Sequence, residues 1–442
     1  MAPSISQDLL DVSRQAVPRY TSYPTAPHFS ADITAADYGT WLRQTGKAGK
    51  PVSLYLHIPF CRTICTYCGC TTKAALRDDP VRAYAAVVHD EIALLHQHLG
   101  PVEVSHVHWG GGTPNILPPE VFADLVEDLK TRFRFRPGME HAIELDPRHV
   151  THEGARHLAS LGITRASLGV QTLDAAVQKA IARIQPLERI EASFDALRSA
   201  GINRINADLM YGLPLQDLGS IRETVGHVAR LRPGRLAVFG YAHVPWMKSH
   251  QKLIKDEDLP DAKARYAQAR LARDLLVEAG YAEVGIDHFA EPEDDLSLAS
   301  KAGTLRRNFQ GYTTDEAEAL IGIGASSISR TPFGYAQNAP DNHGWRRRIE
   351  AGELPIVRGR RLEPDDIRRG QVIEDLLCRF ETGETAATPE IQDRLAPLAR
   401  KGWVELTGNR VVIREHHHEI ARVVASAFDA YLGAGGRHSA AV

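Results

Sequence analysis

The feature that most constrains the fold is an alternation of short β-branched runs with longer segments of helical period, which extends from residue 51 to about residue 287. Such an alternation is typical of βα units, whose strands form a parallel sheet because each crossover passes through a helix. We predict strands over residues 53–58, 104–109, 142–145, 166–170, 206–210 and 236–241. The predicted helices span residues 81–99, 118–133, 187–200, 220–231 and 260–279. Six βα units in about 240 residues favour an α/β fold, a partial TIM-type (β/α)6 barrel, because eight full units need more chain.

The sequence pattern changes after the predicted barrel. Residues 287–339 are rich in loop signals, whereas residues 363–432 predict a small, mostly helical domain with one hairpin over 403–413, turning at Gly408-Asn409. Two helices and a hairpin in this order resemble a winged helix, but the mixed charge of the helical face favours a substrate-covering domain over a DNA-binding one. We therefore predict an N-terminal substrate-covering segment (1–50), the partial barrel (51–290), a barrel extension and connecting segment (291–362), the helical domain (363–432) and a disordered tail (433–442).

The balance of charge argues against two classes of partner. The 442 residues carry 52 Lys and Arg against 55 Asp and Glu, a net charge of −3. No global positive field therefore favours nucleic acid or an anionic membrane. The first 20 residues lack the basic and apolar regions of a signal peptide, and no apolar run approaches the ~18 residues of a membrane span. We expect a cytoplasmic protein that binds neither nucleic acid nor membrane.

Four of the five cysteines lie within ten residues, directly after the first predicted strand: Cys61, Cys65, Cys68 and Cys70. In a cytosolic chain, such crowding indicates a metal site or catalysis rather than disulfides. Three thiolates on one short loop can bind three irons of a 4Fe–4S cluster and leave the fourth iron open to a chelating substrate. Cys70 follows Cys68 too closely to be a good ligand of the same metal. The alternative is a structural zinc site, although such sites usually draw their ligands from two separated pairs.

Polar residues and glycines follow the predicted strands at their carboxyl ends, where a parallel barrel collects its chemistry. They are Gly110, Gly111, Gly112 and Thr113 after the second strand, Glu144 and Asp146 at the end of the third, Gln171 at the end of the fourth, Asp208 at the end of the fifth, and Tyr241, Ala242 and His243 at the end of the sixth. Each acidic residue alone is more often a helix cap or a solvated loop charge. Several such groups around one cysteine loop, however, indicate a binding site, because carboxylate and amide oxygens are good acceptors for ribose hydroxyls.

Five motifs carry a family resemblance: PRYTSYP at 18–24, YLHIPFC at 55–61 with its continuation through Cys70, HWGGGTP at 108–114, DLMYGLP at 208–214 and RNFQGYTT at 307–314. Through them the sequence resembles the radical S-adenosylmethionine (SAM) superfamily and, within it, the oxygen-independent coproporphyrinogen III oxidases. The resemblance runs from about Pro18 into the C-terminal domain, so it does not depend on a single motif.

The resemblance implies a set of cofactors and of residues that hold them. Cys61, Cys65 and Cys68 would hold a 4Fe–4S cluster, and the amino and carboxylate groups of SAM would bind its open iron. Positions that contact this SAM in the family are matched by Tyr55, Tyr67, Gly111, Gly112, Thr113, Glu144, Gln171, Arg183, Asp208 and Ala242. Gln310 and Ile328 match positions assigned to a second SAM, so two SAM molecules are expected per active site. The family often has Phe where this sequence has Tyr67.

The implied reaction converts two propionate side chains of coproporphyrinogen III to vinyl groups, giving protoporphyrinogen IX of haem biosynthesis. Electron transfer from the cluster would cleave SAM to methionine and a 5′-deoxyadenosyl radical, which removes hydrogen from a propionate. An external donor would supply the electron that cleaves SAM, and an external acceptor would take the electron that remains after carbon dioxide leaves. We expect the protein to be a monomer. We assign catalytic roles to Cys70, Tyr55 and Glu144, and a covering role over the tetrapyrrole to the segment of Arg19, Tyr20 and Tyr23.

Two other classes remain open on the sequence alone. A haem-carrier or chaperone relative shares the barrel and the three-cysteine loop, but usually lacks Cys70 and the segment of Gln310 as they stand here. A radical SAM enzyme that acts on another substrate is the second alternative. One that acts on RNA would be expected to bring a basic domain, which the net charge of −3 does not indicate.

Overall fold

The computed structural model describes residues 7–384 and 386–433. Its main element is a twelve-stranded sheet. The strands are β1 (Val52–Ile58), β2 (Phe60–Cys61), β3 (Lys73–Ala74), β4 (Glu103–Gly111), β5 (Arg134–Leu145), β6 (Arg165–Gln171), β7 (Arg204–Tyr211), β8 (Arg235–Gly240), β9 (Ala282–Val284), β10 (His288–Ala290), β11 (Arg306–Asn308), β12 (Gly311–Thr313), β13 (Ala319–Ile323), β14 (Ile328–Thr331), β15 (Gly334–Asn338), β16 (Ile356–Arg361), β17 (Val404–Thr407) and β18 (Arg410–Ile413). The α-helices are α1 (Gln7–Ser13), α2 (Ala35–Ala48), α3 (Asp79–Leu99), α4 (Pro119–Arg132), α5 (His152–Ser160), α6 (Ala175–Ala180), α7 (Leu187–Ser199), α8 (Leu218–Arg230), α9 (Ala262–Glu278), α10 (Asp295–Ala302), α11 (Asn342–Glu350), α12 (Pro364–Cys378), α13 (Pro389–Arg400) and α14 (Ala421–Ser426).

The twelve-stranded sheet has the strand order β16-β15-β14-β13-β1-β4-β5-β6-β7-β8-β10-β9, and the remaining strands of the described chain pair in three two-stranded sheets. Six strands of the sheet run parallel in chain order, β1-β4-β5-β6-β7-β8. They are the six strands predicted from the sequence, and the predicted α/β class is confirmed. Because parallel strands are joined by crossovers, their carboxyl ends meet at one edge, where the loops that follow them lie together. The cysteine loop follows β1, and Gly111 ends β4.

Helix α3 illustrates how local sequence sets these boundaries. It starts at Asp79-Pro80, where a proline in the first turn needs no N–H partner, and ends before Gly100, whose φ of 71° an L side chain rarely adopts. Its apolar face, which includes Tyr84, Val88 and Ile92, is buried in the main core against the sheet. The helix therefore fixes the β1–β4 crossover that carries the cysteine loop.

The interpretation of residues 287–339 as loop-rich is wrong. This stretch contains β10 to β15 and α10, and β13 extends the parallel sheet beyond β1, with Val52 opposite Ala319. The strands have only three to five residues. In β13 every residue is buried, so no alternation of polar and apolar residues marks it. Pro137 and Gly138 similarly hid the first half of β5, which begins at Arg134 rather than at residue 142.

A second hydrophobic core joins the two ends of the described chain. Leu9 and Leu10 of α1 pack with residues of α12, α13, α14 and the β17–β18 hairpin, whose strands flank Gly408-Asn409 as predicted. The Tyr20 hydroxyl donates to Asp429 at 3.0 Å, and the N–H of Ala430 donates to the Tyr23 hydroxyl at 3.0 Å. The N-terminal segment is thereby held on the C-terminal helices.

Two further predictions concern the chain ends and membranes. Of the predicted tail, Gly433 is described, and residues 434–442 lie outside the described residues. Within the described part of the chain, no helix has both the length and the apolar character needed to cross a bilayer.

Candidate active site

The sulfur of Cys61 is held by two hydroxyls. Cys61 ends the short strand β2, which pairs with β3. The Thr113 hydroxyl donates to Cys61 Sγ at 3.3 Å, and the Thr72 hydroxyl lies 3.4 Å from the same sulfur. Burial raises the pKa of the Cys61 thiol, and these hydroxyls act in the opposite direction. The glycine-rich segment after β4 and the cysteine loop therefore meet at this sulfur.

The buried sulfur of Cys65 faces two arginines. Arg183 Nη1 lies 3.6 Å from Cys65 Sγ, and Arg148 Nη2 lies 3.9 Å from it. Both guanidiniums also pair with Asp146 Oδ2, at 3.4 and 2.7 Å. Arg183 is further anchored to the carbonyl of Gly169 at 2.8 Å. Positive charge is thus fixed beside a sulfur that a cluster would take up as thiolate.

Cys68 and Cys70 interact directly. The backbone N–H of Cys70 donates to Cys68 Sγ at 3.4 Å. Hydrogen bonding from the Cys70 thiol lowers the pKa of Cys68 to about 6, whereas the same interaction and burial raise the pKa of Cys70. Cys70 is the exposed member of the group. It therefore supports Cys68 rather than standing apart from it.

A segment after β8 holds the far side of the loop. Lys248 Nζ donates to the carbonyl of Cys70 at 2.9 Å, and His250 Nε2 donates to that of Cys68 at 2.7 Å. Gln251 Nε2 donates to the carbonyls of Tyr67 at 2.9 Å and Ala242 at 3.3 Å. These side chains therefore hold the loop through its backbone carbonyls, and their hydrogen bonds do not involve the cysteine sulfurs.

The cysteine loop fits a cluster better than a single ion. In the part of the chain that the structure describes, no group of three or more His, Cys, Asp or Glu side chains is placed to hold a metal ion. A single ion needs ligands that converge on one point, whereas each thiolate of a 4Fe–4S cluster binds a different iron. Three thiols on one loop, with hydroxyl and guanidinium groups at their sulfurs, are the donor set that such a cluster takes.

The segment after β4 requires glycines because its backbone lies in close contact with the cysteine loop. Gly111 has a φ of 112°, and its N–H donates to Glu144 Oε2 at 3.2 Å. A Cβ on Gly112 would lie 2.5 Å from both the Phe60 carbonyl oxygen and the Thr72 hydroxyl. Any larger side chain would separate the cysteine loop from this segment.

An inner cavity of about 210 Å³ lies inside the barrel, and Glu144 and Asp208 both line it. His108 Nε2 donates to Glu144 Oε1 at 3.1 Å, and the Ser167 hydroxyl donates to Asp208 Oδ2 at 3.0 Å. Burial and the charge of Glu144 raise the pKa of Asp208 to about 6. Burial acts to raise the pKa of Glu144 too, but the hydrogen bonds from His108 and Gly111 lower it overall. The cavity therefore presents acceptors for hydroxyl or ammonium groups.

Tyr55 approaches this region from β1. His57 Nε2 donates to the carbonyl of Thr71 at 3.0 Å, which leaves His57 Nδ1 to accept from the Tyr55 hydroxyl at 3.0 Å. Burial lowers the pKa of His57, in keeping with this neutral tautomer. The Tyr55 ring stacks on that of His108, with centroids 5.9 Å apart, so Tyr55 links the cysteine loop to the partner of Glu144.

The other residues singled out in the sequence occupy different places. Tyr67 packs on an apolar cluster beside the loop, and Gln171 ends β6 with a φ of 64°. Gln310 lines the inner cavity. Ile328 begins β14, where it pairs with Gln337, and does not line that cavity.

Several residues of the site were not predicted individually from the sequence, among them Thr72, Arg148 and His108. The same holds for Lys248, His250 and Gln251 on the far side of the loop. Arg148 follows Asp146-Pro147 at the carboxyl end of β5, so its position after a strand end was an available signal. His108 stands in the motif at 108–114 without a role of its own. Thr72 carries no motif signal, because only the fold of the loop returns it to Cys61.

Comparisons with known proteins agree over most of the chain. Residues 55–228 match the model of the Radical SAM superfamily. An oxygen-independent coproporphyrinogen III oxidase of Bradyrhizobium diazoefficiens is 46% identical over 97% of this chain and 98% of its own. That of Pseudomonas aeruginosa is 38% identical over 94% of this chain and 93% of its own. The structure described as coproporphyrinogen III oxidase (HemN) from Escherichia coli, a Radical SAM enzyme, superposes with a TM-score of 0.89 at 34% identity, covering 95% of this chain and 100% of that chain. The chain belongs to the oxygen-independent coproporphyrinogen III oxidase family of the radical SAM superfamily.

Proposed function

We propose that this enzyme oxidatively decarboxylates two propionates of coproporphyrinogen III, giving protoporphyrinogen IX for haem biosynthesis without oxygen. The observation that carries the proposal is the segment Gly111–Thr113. At one end its N–H binds Glu144 of the inner cavity, and at the other its hydroxyl binds Cys61. The segment therefore joins a cysteine loop suited to a cluster and a polar cavity suited to a nucleoside.

The cysteines Cys61, Cys65 and Cys68 would hold the 4Fe–4S cluster. When bound, the cluster and SAM supply an electron and an adenosyl radical that can remove a hydrogen atom from a propionate side chain. Loss of one hydrogen atom, carbon dioxide and one electron turns each propionate into a vinyl group. An external donor supplies the reducing electron and an external acceptor takes the last one.

The residues around the loop bind and orient the first SAM. Glu144 and Asp208 accept from its hydroxyl and amino groups, and the glycines let the backbone approach it. Arg183 is also assigned to this SAM, and its anchors on Asp146 and Gly169 hold its guanidinium in place. The remaining contacts of this SAM are assigned to Tyr55, Tyr67, Gly111, Gly112, Thr113, Gln171 and Ala242.

Two finer assignments extend this proposal. We assign catalytic contacts to Cys70, Tyr55 and Glu144, because all three adjoin the loop or the inner cavity. A second SAM is assigned to Gln310 and Ile328, of which Gln310 lines the inner cavity. We further infer a cytoplasmic monomer, a setting in which the five free cysteines stay reduced.

The experiment is an anaerobic incubation of the reconstituted protein with SAM, a reductant and coproporphyrinogen III, with products followed by mass spectrometry. We expect successive loss of two carboxyl groups and formation of methionine and 5′-deoxyadenosine. The variant Cys65→Ser is the matched control, because it removes one cluster ligand and should abolish both products. Tetrapyrrole that binds but returns unchanged while wild-type protein cleaves SAM would contradict the proposal and favour a haem-carrier relative or another substrate.

A further inference from the structure

An outer cavity of about 350 Å³ opens between the N-terminal segment, helix α9, strands β8 and β10, and the C-terminal helices. It shares Phe239, His288 and Gln310 with the inner cavity, so the two are adjoining spaces. Six arginines line it against four carboxylates, and the arginines are Arg19, Arg265, Arg270, Arg273, Arg307 and Arg422. Positive charge is therefore concentrated here, in a chain whose net charge is −3.

Two of the guanidiniums meet at Gly240, the last residue of β8. Arg19 Nη2 donates to the Gly240 carbonyl at 3.2 Å. Arg265 Nη2 lies 3.2 Å from the position that a Cβ on Gly240 would occupy, and its guanidinium lies 5.7 Å from the centre of the Tyr211 ring. Neither arginine forms a carboxylate pair within the described ranges. Among the described residues, therefore, no carboxylate lies within ion-pair distance of either guanidinium.

A third guanidinium lies deeper in the same cavity. Arg307 is stacked 4.5 Å from the centre of the Tyr312 ring, and its Nε and Nη1 atoms are buried without a hydrogen-bond partner in the described residues. Asp287 is the nearby carboxylate, and it already accepts from His288 Nδ1 at 2.7 Å. Arg422 adds a fourth guanidinium, and burial together with Arg19 lowers its pKa to about 10.

Two arginines of α9 differ in whether a carboxylate pairs with them. Arg273 pairs with Glu283 at 2.7 Å and with Asp274 at 3.1 Å, so its donors are satisfied by the protein. Arg265, two turns earlier on the same helix, has aromatic and backbone neighbours instead. Burying a guanidinium without a partner costs free energy, which a bound anion restores. Planar guanidiniums bind carboxylates through paired hydrogen bonds.

We propose that Arg19, Arg265 and Arg307, together with Arg422, bind the carboxylates of the propionates that are not reacting. The inference rests on the proposed function, because it takes the tetrapyrrole as the ligand. While those carboxylates lie in the outer cavity, the reacting side chain points past His288 and Gln310 toward Glu144 and Asp208. The arginines thus set both the affinity for the tetrapyrrole and the side chain that reaches the inner cavity.

The test measures equilibrium binding of coproporphyrin III, the stable oxidised macrocycle with the same propionates, by fluorescence in the absence of reductant. Arg265→Gln and Arg307→Gln should each weaken binding about ten- to hundred-fold, since each removes charged hydrogen bonds. Arg19→Gln changes an exposed residue and gives a third variant that is not expected to disturb folding. Lys263→Gln, an exposed cation on the same helix that does not line the cavity, is the control and should bind as wild type does. The tetramethyl ester of coproporphyrin III should bind all these proteins equally weakly.

Steady-state kinetics distinguish a failure of the arginine site from a failure of the proposed function. In the variants, KM for coproporphyrinogen III should rise while KM for SAM and the iron content stay at the wild-type values. If wild-type protein turns over coproporphyrinogen III but Arg19→Gln, Arg265→Gln and Arg307→Gln all bind coproporphyrin III with wild-type affinity, the arginine site is wrong. If wild-type protein binds coproporphyrin III through these arginines but never decarboxylates coproporphyrinogen III, the proposed function fails and the carboxylate site stands.

Discussion

Cys70 differs from the other clustered cysteines in the group that it offers to Cys68. Its backbone N–H, rather than its side chain alone, donates to Cys68 Sγ at 3.4 Å. A backbone donor is retained when the side chain is replaced. N–H···S hydrogen bonds of this kind orient metal-bound thiolates and tune their clusters. Replacing Cys70 should therefore affect the reaction more than it affects assembly of the cluster.

Single Ser variants of the four cysteines separate ligands from helpers. Ser at Cys61, Cys65 or Cys68 should sharply reduce iron and sulfide in the anaerobically reconstituted protein, because each removes a thiolate. Ser at Cys70 should retain the visible absorption of the cluster and lose turnover. Iron and sulfide analysis decides between them. Loss of the cluster in the Cys70 variant, or its survival without Cys65, would mean that the ligand set is wrong.

The carboxylates of the inner cavity give a second prediction. Ala at Glu144 or Asp208 should weaken SAM binding and cleavage roughly ten- to hundred-fold, the equivalent of about 1 to 3 kcal/mol for a lost acceptor. Iron content should stay unchanged, since neither side chain touches a cysteine sulfur within the described residues. Glu127→Ala, an exposed carboxylate on α4, is the control. Wild-type SAM affinity and cleavage in both variants would remove these residues from the SAM site.

At the scale of elements, one buried carboxylate joins α3 to the strands beyond β1. Glu91 accepts from the N–H of Gly324 at 2.6 Å, from Asn338 Nδ2 at 2.6 Å and from Trp345 Nε1 at 3.0 Å. These donors follow β13, end β15 and lie on α11, respectively. A single side chain of α3 thus ties the added strands to the barrel next to β1.

Removing that carboxylate should destabilise the fold. Glu91→Ala leaves the Gly324 N–H and Trp345 Nε1 without an acceptor, whereas Asn338 Nδ2 still donates to Gly324 O and Ser327 Oγ at 2.9 and 3.0 Å. At about 1 to 3 kcal/mol for each lost acceptor, the free energy of unfolding should fall by about 2 kcal/mol or more. Glu91→Gln keeps one carbonyl oxygen and should lose less. Denaturant unfolding at constant pH measures the difference. Equal stability of Glu91→Ala and wild-type protein would show that the network does not hold the strands.

The same residue predicts a pH dependence. Burial raises the pKa of Glu91 from 4.5 to about 7 in the folded protein. The folded state then binds this proton more tightly than the unfolded state, so the stabilisation is fully present below about pH 4.5 and is lost as the pH rises through 7. The free energy of unfolding of wild-type protein should therefore fall relative to that of Glu91→Gln between pH 5 and about pH 7.5. A difference that stays constant over this range would contradict the raised pKa.

The elements that sequence could predict are those with a local signal. The six parallel strands and the helices α3, α4, α7, α8 and α9 follow from period and capping, and α3 shows both signals clearly. The short helices α5 and α6, of nine and six residues, were not predicted. Strand β13 could not be predicted in this way, because its five buried residues pair with β1, which lies far away in the chain. In the site, the cysteine spacing and the glycines were visible in sequence. The contact of Thr72 with Cys61 and the convergence of Arg19 with Arg265 depend on folding alone.

At the scale of the whole molecule, the two chain ends close one side of the barrel together. Tyr20 binds Asp429, and Arg19, one residue earlier, reaches Gly240 at the end of β8. Arg422 of α14 lines the outer cavity together with Arg19. The substrate-covering role of both ends stays a prediction, and their shared core and shared cavity are consistent with it. We expect both segments to help to exclude water from the reacting side chain.

The central claim is that a SAM-derived radical removes hydrogen from the propionates of coproporphyrinogen III. The most direct measurement uses substrate deuterated in those side chains and follows the label into 5′-deoxyadenosine by mass spectrometry under anaerobic conditions. We predict that deuterated 5′-deoxyadenosine accumulates in step with vinyl product, and that neither forms in Cys65→Ser. Vinyl product accompanied only by unlabelled 5′-deoxyadenosine would contradict the claim.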